Sequence, residues 1–222
     1  MRITILTGAG ISAESGLGTF RDAGGLWERY PIEEVATPEG FAADPGKVHA
    51  FYDMRRRDAA RAEPNVAHRA LAELAAARDV VVVTQNVDDL HERAGVQALH
   101  MHGSLFEAAC TACGATAEWR GDMGLEARCP SCGAAALRPA VVWFGEVPRH
   151  LDAIADRLAV TDLFVAIGTS GQVWPAAGFA QEAAAHGAET LEISLEPSGG
   201  TFDEVIVGKA SEAVPDWVRA LL

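Results

Sequence analysis

Four cysteines form two closely spaced pairs in the middle of the chain. Cys110 and Cys113 make one Cys-x-x-Cys pair, Cys129 and Cys132 make the other, and 15 residues separate the pairs. This spacing lets two tight turns present four thiolates to one tetrahedral ion, which predicts a structural zinc site with no open position for water. The alternatives are two disulfides, which would need an oxidising compartment, or redox chemistry, for which one pair would suffice.

A glycine-rich turn follows the first apolar run, residues 3–7. Gly8, Gly10 and Ala13 match the Gly-x-Gly-x-x-Gly/Ala turn, which brings backbone N–H groups against a pyrophosphate. The alternative is an ordinary glycine-rich passage from a strand to a helix. A dehydrogenase would place an acidic residue after a second strand about 20 positions later, and none is found there. The pattern therefore predicts a dinucleotide site without hydride chemistry.

Two further polar clusters follow apolar runs. Gln85, Asn86 and Asp88 come after residues 80–84, and residues 168–170 come after residues 163–167. Because α/β sheets bind ligands at the carboxyl ends of parallel strands, these clusters are candidate site residues, although each is also consistent with a capped helix. A loop at residues 16–27 is rich in glycine, and its aromatic and arginine residues suit a segment that becomes ordered over a ligand.

The elements needed to position these residues alternate along the chain. Strands are predicted at residues 3–7, 80–84, 163–167, 189–194 and 204–207, and helices near 66–77, 149–158, 175–186 and 211–222. Continuously apolar strands indicate a parallel sheet buried between helix layers, so the fold class is α/β, a Rossmann-like doubly wound sheet. Residues 1–27, 63–106 and 139–222 are assigned to this domain. Residues 28–62 and 107–138 are assigned to a smaller helical and zinc-ribbon domain.

The composition limits the class of partner. Of the 222 residues, 49% are hydrophobic and 22% are charged, as in an ordinary globular protein, and the formal net charge is −13. Such an acidic chain disfavours nucleic acid and anionic membranes as partners. The longest uncharged run, residues 163–181, is broken by glycine and proline, and no targeting segment is recognised. We therefore expect a cytoplasmic protein, working as a monomer.

One helical segment carries an unusual cation. Asp44 and Pro45 predict the start of a helix in which Val48, Phe51, Tyr52 and Arg55 share the apolar stripe. Arg55 therefore points inward, where a guanidinium needs an anion, whereas the next two arginines are expected in solvent. From spacing alone, the favoured interpretation is that Arg55 reaches solvent or pairs with a structural acid.

The motifs together resemble the sirtuin family, the NAD-dependent protein lysine deacylases, over nearly the whole chain. They are Gly8-Ala9-Gly10-Ile11-Ser12, Thr84-Gln85-Asn86-Val87-Asp88, His102-Gly103-Ser104-Leu105, the two cysteine pairs, Trp143-Phe144-Gly145-Glu146, Gly168-Thr169-Ser170 and Leu195-Glu196-Pro197-Ser198. The resemblance implies that NAD is consumed as a co-substrate in a cleft between the two domains. The products would be nicotinamide, O-acyl-ADP-ribose and free lysine.

The resemblance also assigns roles to residues. Among the seven histidines it selects His102 as the base; spacing alone places His100 and His102 on one strand face and suggests a buried structural role for His68. His102, Asn86 and Asp88 would be catalytic. The cofactor would contact Gly8, Ala9, Gly10, Ser12, Ala13, Thr19, Phe20, Arg21, Trp27, Gln85, Asn86, Asp88, Gly168, Thr169, Ser170, Ser194, Glu196 and Ala210. The extended substrate peptide would pair with an edge strand at residues 143–146 and contact Val142, Phe144, Gly145 and Glu146.

Three residues of this chain match the sirtuin class that removes succinyl, malonyl and glutaryl groups. They are Tyr52 and Arg55, in the Tyr-x-x-Arg pattern, and Ala23, which would leave room for a longer acyl chain. Within that class, Arg55 would pair with the distal carboxylate, and activity on acetyl-lysine would be retained. The alternatives are plain deacetylation, mono-ADP-ribosyl transfer, a non-catalytic NAD-responsive module, and a zinc ribbon that binds nucleic acid.

Two positions depart from the family pattern. Ser194 stands where the family usually has asparagine, so a weaker contact to the adenosine ribose is expected. Gly18 stands where many relatives have proline or arginine, and its greater backbone freedom would raise the entropic cost of closing the loop.

Overall fold

The core of the protein is a six-stranded parallel sheet, as seen in a computed structural model that describes residues 1–18 and 30–222. The strands are β1 (Arg2–Thr7), β2 (Asp79–Thr84), β3 (Ala98–His100), β7 (Leu163–Ile167), β8 (Glu189–Ser194) and β9 (Glu204–Val207). Their order in the sheet is β3-β2-β1-β7-β8-β9, and every neighbouring pair is parallel. The order reverses between β1 and β7, which is where a doubly wound sheet opens a crevice for ligands.

Helices cover both faces of this sheet. The α-helices of the described residues are α1 (Ala9–Ala13), α2 (Ile32–Val35), α3 (Pro38–Ala43), α4 (Pro45–Arg61), α5 (Val66–Ala77), α6 (Leu90–Ala94), α7 (Leu151–Leu158), α8 (Phe179–Ala185) and α9 (Ala210–Leu221). Leu71 and Leu74 of α5 pack with Val214 of α9 on one face, and Ile154 and Phe179 pack on the other. The α/β fold class predicted from the sequence is confirmed.

A second, antiparallel sheet lies outside this core. Its strands β4 (Gly103–Cys110), β5 (Thr116–Glu118) and β6 (Leu137–Val141) are arranged in the order β5-β4-β6. The cysteines flank these strands, and a small cluster of buried residues around Met123 and Leu137 lies beside them. The inner face of α4 packs against Leu105, Phe106 and the buried ring of Trp143, so the helical segment contacts the strand that leads into the cysteine module.

Local chemistry explains where the helices begin. The side chain of Asn65 accepts hydrogen bonds from the N–H groups of Ala67 and His68 at the start of α5, and that of Asp44 accepts one from Lys47 at the start of α4. Both are side-chain N-caps, and the one at Asp44 begins the helix predicted from Asp44 and Pro45. Within the described residues, no helix is both long enough and apolar enough to cross a bilayer.

Candidate functional site

The turns after β1 and β7 meet at the point where the strand order reverses. The N–H of Gly8 donates to the carbonyl of Ile167 at 3.0 Å, and the N–H of Gly10 donates to the carbonyl of Gly168 at 2.9 Å. A Cβ added to Gly8 would lie 2.7 Å from the oxygen of Gly168, and one added to Gly10 would lie 2.7 Å from its Cα. The glycines are therefore required by this backbone contact, independently of any contact with a ligand.

The polar cluster after β2 forms a buried network with the first turn. Asn86 donates from Nδ2 to the carbonyl of Gly8 and to Oγ of Ser12, each at 3.1 Å. The Ser12 hydroxyl donates to Oδ2 of Asp88, also at 3.1 Å. Burial raises the pKa of Asp88, although hydrogen bonds from Leu90 and Ser12 oppose the shift. The network holds an amide and a carboxylate at the carboxyl ends of β1 and β2.

The third cluster joins the same group. Thr169 donates its hydroxyl to Oε1 of Gln85 at 2.9 Å, which links the loops after β7 and β2. Ser170 accepts the N–H of Gln172 through its hydroxyl oxygen. Three loops that are distant in the sequence thus converge at one edge of the sheet, as expected from the polar residues that end each strand.

The last predicted cofactor residues lie near the end of β8. Ser194 is buried and donates to the carboxylate of Glu192, which also accepts the N–H and the hydroxyl of Ser198. Ala210 is the first residue of α9 and is buried, whereas Glu196 and Ala13 are exposed. Glu192 was missed by sequence reasoning, because a carboxylate inside an apolar strand gives no pattern that separates support of a loop from ordinary burial.

Two histidine rings face the segment after β2. The Nδ1 atom of His102 lies 3.0 Å from the carbonyl oxygen of Gln85, and Nδ1 of His100 lies 3.0 Å from the carbonyl oxygen of Asn86. A carbonyl oxygen only accepts, so Nδ1 of His102 carries the proton and Nε2 of its neutral form keeps a lone pair. Burial lowers the pKa of His102, against a smaller opposing effect of the Gln85 carbonyl.

The strand predicted to carry both histidines is shorter than expected. β3 ends at His100, and His102 lies in the turn before β4. The two rings nevertheless contact consecutive carbonyl groups, because the chain passes that loop before it enters the second sheet. His68 is fully buried, as its helical position suggested.

Tyr52 and Arg55 lie on the inner side of α4. Tyr52 is 1% exposed, and its hydroxyl oxygen accepts the indole N–H of Trp143 at 3.0 Å. Arg55 is half-buried, with its guanidinium carbon 5.7 Å from the ring centre of Phe51 and 6.0 Å from that of Tyr52. Burial lowers the pKa of Arg55, and Tyr52 and Asp88 oppose that shift. The guanidinium thus lies within electrostatic reach of the Asp88 carboxylate.

Arg56 corrects one expectation. It was predicted to lie in solvent with Arg57, but it is 1% exposed and forms an ion pair with Asp53 at 2.6 Å. Its Nε also donates to the carbonyl of Leu105 at 2.6 Å. Arg57 is exposed and pairs with Asp122. The helical period correctly predicted which face of α4 packs against the core. It did not predict that a second face of α4, which carries Arg56, is covered by Leu105 and Gly121.

Residues 142–146 correct another expectation. They were predicted to include an edge strand, but β6 ends at Val141 and the following residues form a turn in which Gly145 has a φ of +89°. The carboxylate of Glu146 accepts the N–H of Trp143 at 2.8 Å and pairs with Arg138. These internal bonds hold the turn, while Phe144 at its tip is 47% exposed.

The four cysteines converge as their spacing predicted. Their sulfur atoms all lie within 4.8 Å of one another. Cys110 and Cys132 are 3.7 Å apart at Sγ, and Cys113 and Cys129 are 3.8 Å apart. Four thiolates around a zinc ion at about 2.3 Å lie about 3.8 Å from one another, whereas a disulfide needs about 2.05 Å. The geometry fits a structural zinc ion and excludes the two disulfides.

Five predicted site residues fall between residues 18 and 30, outside the described part of the chain. They are Thr19, Phe20, Arg21, Ala23 and Trp27.

Comparisons with known proteins agree with this geometry. A model of the Sir2 family matches residues 8–175. The NAD-dependent protein deacylase of Escherichia coli strain K12 is 53% identical over 229 residues, which cover 100% of this chain and 82% of the relative. A solved Sir2 homologue in complex with NAD is 41% identical with a TM-score of 0.92, covering 99% of this chain and 89% of the other. Sir2Af2 bound to a myristoylated histone peptide is 34% identical with a TM-score of 0.77, covering 98% and 89%.

Proposed function

The chain belongs to the Sir2 family and is an NAD-dependent protein deacylase, and we propose that it prefers lysine acyl groups ending in a carboxylate, such as succinyl, malonyl and glutaryl groups. The observation that carries this proposal is the half-buried guanidinium of Arg55 beside the phenol of Tyr52. A cation withdrawn from water gains most when it meets an anion, and a guanidinium matches a carboxylate in shape.

The proposed binding site for NAD is the crevice between β1 and β7. Two hydrogen-bonded groups would line it: one is Gly8, Ser12, Asn86 and Asp88, and the other is Thr169 with Gln85. The buried amide and carboxylate suit the nicotinamide half of the molecule, and Gly168, Ser170, Ser194 and Ala210 would lie along the adenosine half. Bound there, NAD supplies the ADP-ribose that receives the acyl group. Thr19, Phe20, Arg21 and Trp27 would cover it.

We assign the base to Nε2 of His102. The Gln85 carbonyl fixes the proton on Nδ1, so the lone pair lies on the opposite side of the ring and can accept a proton from a ribose hydroxyl. Burial keeps the ring neutral near pH 7, which is the state a base requires. Asn86 and Asp88 would hold the sugar and the nicotinamide carboxamide in position.

Tyr52 is proposed to bind the same distal carboxylate as Arg55. Because its oxygen accepts the N–H of Trp143, its own O–H proton points away from the indole and is free for another acceptor. A hydroxyl and a guanidinium from successive turns of α4 would then share one anion, and Ala23 would leave space beside it. An acetyl group ends short of these groups and would use neither.

The acyl-lysine would arrive on an extended segment of a protein. The Sir2 homologue Sir2Af2 was solved with a myristoylated histone peptide, and residues 142–146 are our candidates for the corresponding contacts. The turn offers an exposed phenyl ring at Phe144 and, at Gly145, a backbone with positive φ. In this assignment Glu146 stabilises the turn through its bonds to Trp143 and Arg138.

We further propose a monomer that works in the cytoplasm. Four unpaired thiols that converge on one metal position suit a reducing compartment. The net charge of −13 disfavours nucleic acid and anionic membranes as partners.

A direct comparison of acylated peptides tests the proposed preference. One peptide sequence is prepared with succinyl-, malonyl- and acetyl-lysine, and nicotinamide release and product masses are followed with NAD present and omitted. We expect O-succinyl-ADP-ribose with a higher kcat/KM than for the acetyl peptide. A clear advantage for the acetyl peptide would leave a plain deacetylase, and ADP-ribose attached to protein would indicate the transferase alternative.

A further inference from the structure

His100 has hydrogen-bond acceptors on both sides of its ring. Its Nδ1 lies 3.0 Å from the carbonyl oxygen of Asn86, and its Nε2 lies 3.1 Å from Oε1 of Glu92. A carbonyl oxygen has no proton to give, and a carboxylate accepts only. A neutral imidazole carries one proton and could satisfy only one of these partners. With Glu92 ionised, the geometry therefore requires two protons on the ring, which is the imidazolium form.

The position of the proton between His100 and Glu92 follows from their surroundings. Oε1 of Glu92 also accepts the N–H of Ala98 at 3.0 Å, as an ionised carboxylate does readily. Burial alone would lower the pKa of His100, but the hydrogen bond to Glu92 and its negative charge outweigh burial and raise it. Burial would raise the pKa of Glu92, yet the bond to His100 and its charge lower it. Both shifts favour a charged pair.

The two histidines beside this loop therefore differ in charge. Among residues 1–18 and 30–222, His102 has one acceptor, the Gln85 carbonyl, and is neutral, whereas His100 has two and is cationic. In the part of the chain that the structure describes, the charged groups that face His100 are Glu92 on α6 and Asp88 on the loop after β2. His91, also on α6, is neutral, because burial lowers its pKa to about 3. The imidazolium in turn helps to keep the buried carboxylate of Asp88 ionised.

We propose that His100 is a positioning residue whose imidazolium ring, held by Glu92, fixes the backbone of Asn86 and thereby the NAD-binding conformation of the segment from Asn86 to Asp88. The ring reaches this segment from outside, while Ser12 and Gly8 bind the Asn86 side chain from the crevice. The proposal rests on the proposed role of Asn86 and Asp88 in NAD binding and concerns the residue that holds them in place.

The test begins with the protonation state. We expect ¹⁵N NMR of the full-length enzyme at pH 7.5 to show both nitrogens of His100 protonated and only Nδ1 of His102 protonated. The His100 signals are assigned by their loss in His100→Leu. A single protonated nitrogen on His100 at this pH would overturn the proposal, whatever the activity of the variants.

Kinetics then separate positioning from folding. In His100→Leu we expect the KM for NAD to rise about tenfold, the loss of one charge-assisted hydrogen bond, with kcat at saturating NAD within about twofold. In the wild type, KM for NAD should rise when alkaline pH removes the second proton of His100. In Glu92→Gln, which keeps one acceptor oxygen but removes the charge, this rise should shift to lower pH. His186→Asn, at an exposed histidine, should change neither quantity. If the rise in KM at alkaline pH occurs at the same pH in Glu92→Gln as in the wild type, the result would count against the charged pair.

A third variant distinguishes failure of this inference from failure of the proposed site. Asn86→Ala should raise the KM for NAD more than His100→Leu does. If Asn86→Ala has no effect, the assignment of the NAD site is wrong. If Asn86→Ala has its effect and His100→Leu has none while its thermal unfolding matches that of the wild type, the positioning role alone is refuted.

Discussion

The indole Nε1 of Trp143 lies 3.0 Å from the hydroxyl oxygen of Tyr52, in a contact buried from solvent. The same indole ring stacks on Arg138, whose guanidinium carbon is 3.5 Å from the ring centre and whose nitrogen atoms hold Glu146. A continuous set of contacts thus links the turn proposed to meet the peptide with the phenol proposed to meet the acyl group.

Trp143→Phe should reduce acyl selectivity without stopping the reaction. The phenyl ring keeps much of the packing but removes the N–H, so the Tyr52 hydroxyl is free to rotate away from the acyl pocket. We expect kcat/KM for a succinyl peptide to fall about tenfold and that for an acetyl peptide to change by about twofold or less. Trp217→Phe, at a partly buried indole on α9 that packs against the core, is the control. Equal losses on both peptides would contradict this role.

Arg55→Met should separate the two kinds of substrate more strongly. Methionine retains the apolar stem beside Phe51 and Tyr52 but cannot pair with a carboxylate. We expect desuccinylation to become undetectable while deacetylation largely remains, measured as nicotinamide release with matched peptides. If succinyl and acetyl activities fall together, Arg55 serves the fold or the cofactor and not the acyl group.

His102→Tyr should stop removal of both acyl groups while NAD still binds. The pKa of His102 is lowered by burial, so the neutral base persists below pH 6.5. The wild-type kcat should therefore stay constant on acidification past this value and fall only when the pH passes the lowered pKa. Calorimetry of NAD binding and a pH series of kcat check the two statements. Full turnover by the variant would remove His102 from the mechanism.

Asp53→Asn should destabilise the protein far more than a matched change nearby. Asp53 pairs with buried Arg56 and accepts the N–H of Met123, so its loss leaves a guanidinium without its counter-charge. We expect a loss of about 3 kcal/mol or more in the free energy of unfolding. Asp122→Asn breaks the exposed pair with Arg57, and should cost about 1 kcal/mol or less. Urea denaturation of both variants gives the comparison; similar costs would refute the burial argument.

Two buried histidines should make the fold sensitive to acid. Burial lowers the pKa of His68 to about 4 and that of His91 to about 3, while both would titrate near 6.5 in the unfolded chain. The unfolded state therefore binds more protons between these values. The stability due to the neutral rings is fully present above about pH 6.5 and is lost as the pH falls towards 4 and then 3.

His68→Gln tests this directly. Removal of one ring should make the dependence of unfolding free energy on pH shallower by about one proton between pH 6 and 4. The exposed His186→Gln serves as the reference. Identical slopes for wild type and His68→Gln would show that His68 does not cause the loss.

The sequence predicted the parts of the molecule that depend on local periodicity. The apolar runs of β1, β2, β7, β8 and β9 are all strands in the structure, because continuous apolar stretches are typical of a sheet covered on both faces. β3, with only three residues, was given no bounds in the prediction, since so short a segment has no period of its own; only the spacing of His100 and His102 indicated a strand there.

The parts that sequence reasoning missed depend on contacts between distant segments. Arg56 is buried because Leu105 and Gly121 lie over it. Both residues are far from α4 in the sequence, so the pattern of that helix alone does not predict the contact. The charge of His100 depends on two acceptors from different elements. The turn at residues 143–146 was misread as a strand because its internal bonds to Arg138 leave no mark in the local pattern.

The close contact of Gly8 and Gly10 with Gly168 affects how inactive variants should be interpreted. An alanine at either position would push apart the two loops that open the crevice, before any nucleotide arrives. Loss of NAD binding in such a variant would report damage to the scaffold and would say nothing about whether the glycine touches a phosphate. Mapping the contact surface for the nucleotide therefore calls for changes at side chains that point into the crevice.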